Sequence, residues 1–292
     1  MVAQVSTESP LTLISGDAPR VRDVLRLSAL QRDLWRHRYL IIELTKAELA
    51  ARYRASLLGG LWAFINPLLL LAVYTFVFGG ILRARWPGVS DQGSGEFSRV
   101  LFSGLVVFSF MSECLSRSPV AITAVPNYVK KVVFPLQVLP VTIVASALCQ
   151  LCIGVVVLLA AGLILDGMIH PTIVLLPVVL LPMLFIGLAT SWVIAGVGVF
   201  IRDVGLAMGF LVQLLIFLTP IFYPLDAVPE PWRGLLQLNP LATVVLQVRQ
   251  VMLWGELPDF LVLCSWLAVS AGLALLAYAW FMWAKRGFAD AL

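Results

Sequence analysis

The sequence predicts an all-α polytopic membrane protein with six transmembrane helices per protomer, an N-terminal amphipathic interfacial helix and a short re-entrant segment before the last span. Three observations carry this expectation. Apolar runs recur between Leu57 and Trp283, and a helix needs ~20 such residues to cross a ~30 Å hydrocarbon core. The composition is 61% hydrophobic and 12% charged, with a mean hydropathy of +0.97, values that no water-soluble domain of this length sustains. Lys and Arg gather in the arm and in the short breaks between runs rather than inside them.

Residues 1–20 mix Ser, Thr, Pro and Gly without periodicity and read as disordered. Residues 21–56 read as a cytoplasmic amphipathic helix. Leu30, Leu34, Ile42, Leu49 and Tyr53 recur near helical spacing, with Arg32, Arg36, Arg38, Lys46, Arg52 and Arg54 filling the remainder. A basic amphipathic helix beside a span lies in the interface plane. The membrane domain, 57–284, opens with a span from Leu57 to Leu82, which Pro67 is expected to kink. A mixed loop follows to Phe97. The second span, Val100–Leu115, ends where Glu113 and Arg117 stand one helical turn apart and can pair.

Between Pro126 and Pro135 lies a short basic segment, expected to hold a small helix. The third span, 132–165, is roughly 34 residues or ~50 Å at ~1.5 Å each, longer than a bilayer crossing. A tight turn, Asp166–Pro171, leads to a fourth span through Pro177 and Pro182 to Ile201. The fifth, Val204–Phe222, ends in Thr219-Pro220-Ile221-Phe222-Tyr223-Pro224. Leu241–Leu253 is interrupted by Gln247, Arg249 and Gln250, so a re-entrant segment suits it better than a crossing. The last span, Phe260–Trp283, precedes a cytoplasmic tail, 285–292.

With both termini inside, 15 of the 20 Lys and Arg fall on the cytoplasmic side, which the positive-inside rule favours. The net charge of +4 therefore points to anionic lipid rather than nucleic acid. The first 59 residues are too charged for a secretory leader. Cys149 and Cys152 form a CxxC inside an apolar run with no second pair, and read as packing residues, not a metal or redox site.

The spans are nearly bare of ionisable side chains, with Glu113 the main exception. A carrier driven by protons or sodium needs such groups at depth. The chain also lacks a G-x-x-x-x-G-K-[ST] phosphate loop. An active transporter built this way must draw its energy from a separate ATPase.

Arg52-Tyr53-Arg54-Ala55-Ser56-Leu57-Leu58-Gly59-Gly60-Leu61-Trp62, followed by Asn66-Pro67-Leu68, resembles the start of the first span in ABC-2-type polysaccharide exporters. Phe200-Ile201-Arg202-Asp203-Val204, the Thr219–Pro224 motif and Leu238-Asn239-Pro240 resemble the same family in order and spacing. The resemblance covers the chain from about residue 28 onward. It implies a homodimeric permease of the bacterial inner membrane with two copies of an ABC ATPase subunit, which would hold ATP and Mg. The cargo would be an O-antigen, capsular or teichoic-acid glycan on a lipid anchor.

By the same resemblance, the Pro126–Pro135 loop would be the coupling helix. Asn127, Tyr128, Lys130 and Lys131 would be its contacts, with Arg202 and Asp203 assisting. Aromatic rings offer flat faces to pyranose rings without fixed hydrogen-bond register, so Trp62, Tyr74, Phe78 and Tyr223 are candidate channel-lining residues, set against ordinary packing. Arg32, Arg36 and Arg38 are candidates for lipid-phosphate contact, by bidentate capture of a pyrophosphate, set equally against plain attraction to anionic lipid. Pro224, Asn239 and Arg249 are assigned to an outer gate, with Glu256 or Asp259 the expected partner of Arg249 and substrate phosphate the alternative. The rival readings are an ABC-2 exporter of a small lipid or drug, a membrane-embedded glycosyl- or acyltransferase, and a passive channel.

Overall fold

A computed structural model describes residues 27–54, 57–81, 95–130, 134–167 and 169–291. The expectations for residues 1–20, for most of the loop after the first span and for Lys131 lie outside them. All the regular structure described is helical.

The arm is two helices, α1 (Leu27–Arg36) and α2 (Arg38–Tyr53), broken at His37, whose Nδ1 lies 2.9 Å from the Asp33 carbonyl oxygen. A 3-10 turn, Gly59–Leu61, leads into α3 (Trp62–Tyr74), which contains Pro67 and continues as a π-helical stretch, Thr75–Ile81. Next come α4 (Gly95–Arg117), a 3-10 turn at Ser118–Val120 and the short α5 (Pro126–Lys130). The long pair α6 (Val138–Asp166) and α7 (Leu176–Phe200) follows, joined through a 3-10 turn at Pro171–Leu175. The chain continues through α8 (Val204–Leu218), α9 (Glu230–Gln237) and α10 (Pro240–Arg249), the last extended by a π turn, Gln250–Trp254. It closes with α11 (Phe260–Ala284), a 3-10 turn at Lys285–Gly287 and α12 (Phe288–Ala291).

Among the described residues, five stretches are long and apolar enough to span a membrane: Gly59–Phe78, Glu96–Val120, Val138–Leu165, Pro171–Phe200 and Phe260–Ala291. The remaining expected span, the fifth, is shorter. Its helix α8 has 15 residues, ~22 Å at ~1.5 Å each. Pro220 explains the stop: the residue before a proline is pushed out of the α region, and Thr219 is extended, with ψ 133°. The third span starts at Val138, after a turn in which Val138 N–H donates to the Pro135 carbonyl at 2.9 Å.

The bundle is built around α4. Of its most apolar window, 83% is buried, against 6% for the Gly59–Phe78 stretch. It packs against α3, α6, α7, α8 and α10, while α7 pairs along its length with α11 and α2 lies along α6. Helix α10 is buried through Leu241, Val244, Val245 and Val248 between α4 and α7. Its ten residues reach only ~15 Å, half a hydrocarbon core.

Candidate functional site

From Val107 to Pro119, every position is buried except Ser109, Ser112, Glu113, Ser116 and Arg117. These five recur at three- and four-residue steps, so they share one helical face. All are polar, and they lie on a helix that is otherwise core. The Ser109 hydroxyl donates to the Leu105 carbonyl at 2.7 Å, leaving its oxygen free to accept.

The stripe ends in an ion network. Arg117 Nη1 donates to Glu113 Oε1 at 2.9 Å and also pairs with Glu48 of α2. Arg52, one turn further along α2, pairs with Glu113. Burial raises the Glu48 carboxyl above its ordinary range; the Arg117 guanidinium opposes this and Glu113 reinforces it. An open cleft of about 610 Å3 runs along Glu48, Arg52, Ser112, Glu113, Ser116 and Arg117. A second cavity of about 370 Å3 adjoins it, sharing Arg52, Ser109 and Glu113. Trp62, Asn66 and Gln150 give this cavity a mixed rim, and Leu70, Phe102, Leu105 and Leu151 give it an apolar floor.

Trp62 thus lines the second cavity with Glu113, away from the other aromatic candidates. Tyr74 is twelve residues further along the same helix, ~18 Å away, in a row with Phe78 at 5.9 Å and onward to Phe97 at 5.5 Å. Tyr223 sits in the turn after α8 and donates to the Phe217 carbonyl at 2.7 Å. Sequence reasoning overlooked Ser109, Ser112, Ser116 and Gln150. The signal was available as a three-four polar repeat inside an apolar run.

The coupling candidates gather at the Arg117 end. Asn127 and Tyr128 are exposed on α5, and the Tyr128 ring stacks on Phe134 with centroids 4.6 Å apart. The Ser118–Val120 turn that leads to them is pressed onto the end of α7, where a Cβ on Gly198 would stand 2.2 Å from the Pro119 carbonyl oxygen. Exposed Arg202 and Asp203 precede α8, whose start also contacts that turn. The terminal helix α12 packs against α5, anchored by buried Phe288 against Phe281 and Phe200.

A second polar cluster ties the arm to this end. Asp33 of α1 accepts from Tyr278 Oη at 2.8 Å and from Gln137 Nε2 at 3.1 Å. Lys285 Nζ donates to Gln137 Oε1 at 3.1 Å, and Trp192 Nε1 donates to the Gln137 carbonyl at 3.1 Å. Nothing in the sequence pattern linked these residues, which come from α1, the start of α6, α7 and the end of α11. On the arm itself, the Arg38 guanidinium lies over Trp35 at 4.7 Å and over Tyr39 at 4.4 Å. Arg32 and Arg36 are exposed one turn apart on α1.

At the opposite end, the gate candidates form one unit. The broken end of α8 leaves carbonyls that need donors. Asn239 Nδ2 donates to the Leu218 carbonyl at 3.1 Å, while Asn239 Oδ1 caps α10 by accepting from Leu241 N–H at 3.0 Å. Arg249, fully buried, donates to the carbonyls of Pro220 at 2.8 Å, Ile221 at 3.0 Å and Val100 at 3.2 Å. Asp259, one expected partner of Arg249, instead caps α11 through the Leu261 and Val262 N–H groups. Gly104 makes room for the guanidinium: a Cβ there would lie 3.0 Å from Arg249 Nη2. Pro224 follows in the same turn and precedes a 3-10 turn at Leu225–Ala227.

Residues 39–253 match the ABC-2 type transporter family. The chain is 33% identical over 265 residues to the O-antigen export system permease protein RfbA of Myxococcus xanthus, covering 90% of this chain and 99% of that one. A Klebsiella pneumoniae protein of the same name is 28% identical over 222 residues, 75% of this chain and 82% of its own. The polysialic acid transport protein KpsM of Escherichia coli is 29% identical over 245 residues, 78% of this chain and 88% of its own. The chain belongs to the ABC-2 type transporter membrane family.

Proposed function

We propose that this chain is the membrane-spanning subunit of an ATP-binding-cassette exporter that moves a lipid-linked polysaccharide from the cytoplasmic to the outer face of the bacterial inner membrane. The observation that carries the reading is similarity to an O-antigen export permease along nearly the whole of both chains. The absence of a phosphate loop from the sequence supports an ATPase on a separate subunit, with ATP and Mg held there. Two permeases and two ATPases make the working assembly. Six spans cross the membrane, with α8 as the fifth and its short outer end closed by the re-entrant α10, and both termini are cytoplasmic. The arm, α1 and α2, lies in the cytoplasmic interface, where Trp35, Arg38 and Tyr39 meet headgroups and Arg32 and Arg36 meet lipid phosphate.

Helix α5 is the coupling element. Asn127, Tyr128, Lys130 and Lys131 touch the ATPase, with Arg202 and Asp203 beside them, and the packed Ser118–Val120 turn passes the displacement into α4 and α7. The test is co-expression with an ABC ATPase subunit from the same bacterium. The two should co-purify, and cells lacking this chain should retain the polysaccharide inside. Purified chain without ATPase, together with normal surface polysaccharide in the deletion strain, would overturn the reading. Charge reversal at Lys130 and Lys131 should abolish export while the protein still inserts.

A further inference from the structure

The polar face of α4 sits where a membrane protein has least reason to keep one. Toward lipid, hydroxyls and charges lose water and gain no partner, and the exposed faces of α8 and α11 are accordingly mostly apolar. On α8 Leu206, Phe210, Leu214 and Phe217 surround one exposed amide, Gln213, and on α11 Leu261, Leu273 and Leu276 accompany one exposed hydroxyl, Ser265. The stripe Ser109–Ser112–Glu113–Ser116–Arg117 instead borders two adjoining hollows of about 610 and 370 Å3. A polar face on the most buried span, opening on a cavity, marks a hydrated path.

Charge decides what travels along it. Two arginines, Arg52 and Arg117, face two glutamates, Glu48 and Glu113, and each arginine already has a carboxylate partner. A phosphate or acidic sugar would have to displace a glutamate and meet its repulsion. An uncharged polyol need displace neither glutamate. Its hydroxyls can donate to the serine oxygens and the unused carboxylate lone pairs, and can accept from the amide of Asn66. The Trp62 indole offers a flat face for a sugar ring at the same rim. We infer that the α4 stripe is the cytoplasmic mouth of the polymer path and receives uncharged, hydroxyl-rich sugar residues. This rests on the polysaccharide-export reading and narrows it.

The test uses the complete complex with its ATPase, in inside-out vesicles, with exposed Cys149, Cys152 and Cys264 replaced by Ser. Into that parent go Ser112→Cys and Ser116→Cys separately. A membrane-impermeant methanethiosulfonate should modify both, and export should be lost on modification while ATP hydrolysis persists. Uncharged maltoheptaose should slow the modification, and polyanionic oligogalacturonate should not. Three outcomes overturn the inference: disulfides forming between the two copies, which would make the stripe a dimer seam; export unchanged after modification; or equal protection by the polyanion. A parent complex that neither hydrolyses ATP nor exports polymer counts instead against the exporter reading itself.

Discussion

Arg249 is a charge with a structural task. Its guanidinium donates to carbonyls freed where Pro220 ends α8, and it lies in a notch left by Gly104. Each buried polar group left without a donor costs ~1–3 kcal/mol, so Arg249→Met should lower stability by about 3 kcal/mol or more. Arg249→Lys should recover only part, because one ammonium cannot reach acceptors spread across α4 and the α8 turn. Thermal unfolding in detergent checks both; wild-type melting of Arg249→Met would show that the nest is dispensable. Gly198 makes the same point at the other end. Gly198→Ala puts a methyl 2.2 Å from the Pro119 carbonyl oxygen, and backbone cannot yield as a side-chain tip can. A loss of about 2 kcal/mol is expected from such overpacking, read as a lower melting temperature.

At the scale of elements, burial of Glu48 between α2 and α4 gives the docked arm a pH dependence. The folded state holds that proton more tightly than the unfolded chain, since burial raises the carboxyl. The contribution is therefore complete below the ordinary glutamate range and is lost as pH rises through the raised value. Glu48→Gln should flatten the fall in melting temperature as pH rises above the ordinary glutamate range; parallel curves for the two proteins would contradict this. Helix positions were largely legible in the sequence, because long apolar runs bounded by prolines and charges have few alternatives to helix in a bilayer. Helix ends were less so. Nothing local foretold that His37 would split the arm, or that α6 would begin at Val138 instead of 132. The stop of α8 at Leu218 was written in Thr219-Pro220, but an apolar run that continues through Ile221 and Phe222 hides it.

Across the whole molecule, what the sequence could not disclose is which polar residues meet. Glu113–Arg117 follows from spacing alone, whereas Asp33, Gln137, Tyr278 and Lys285 are brought together only by packing of α1, α6 and α11. That cluster joins the arm to the segment just after α5. Asp33→Leu leaves Tyr278 and Gln137 without their acceptor and should free α1 from the bundle at a cost of about 2 kcal/mol. Limited proteolysis near His37 should accelerate accordingly, and unchanged cleavage would show that α1 is held by its apolar face alone. The structure separates the aromatic candidates: Trp62 borders the cavity beside Glu113, while Tyr74 and Phe78 belong to a separate aromatic row.

The fold-back of Phe288–Ala291 onto α5 has a practical corollary. A fluorescent reporter or bulky affinity handle fused behind α12 would sit within reach of α5, the surface proposed above to meet the ATPase. Loss of secretion in such a fusion would report steric obstruction rather than a damaged permease, and a small reporter placed there could watch the motor dock.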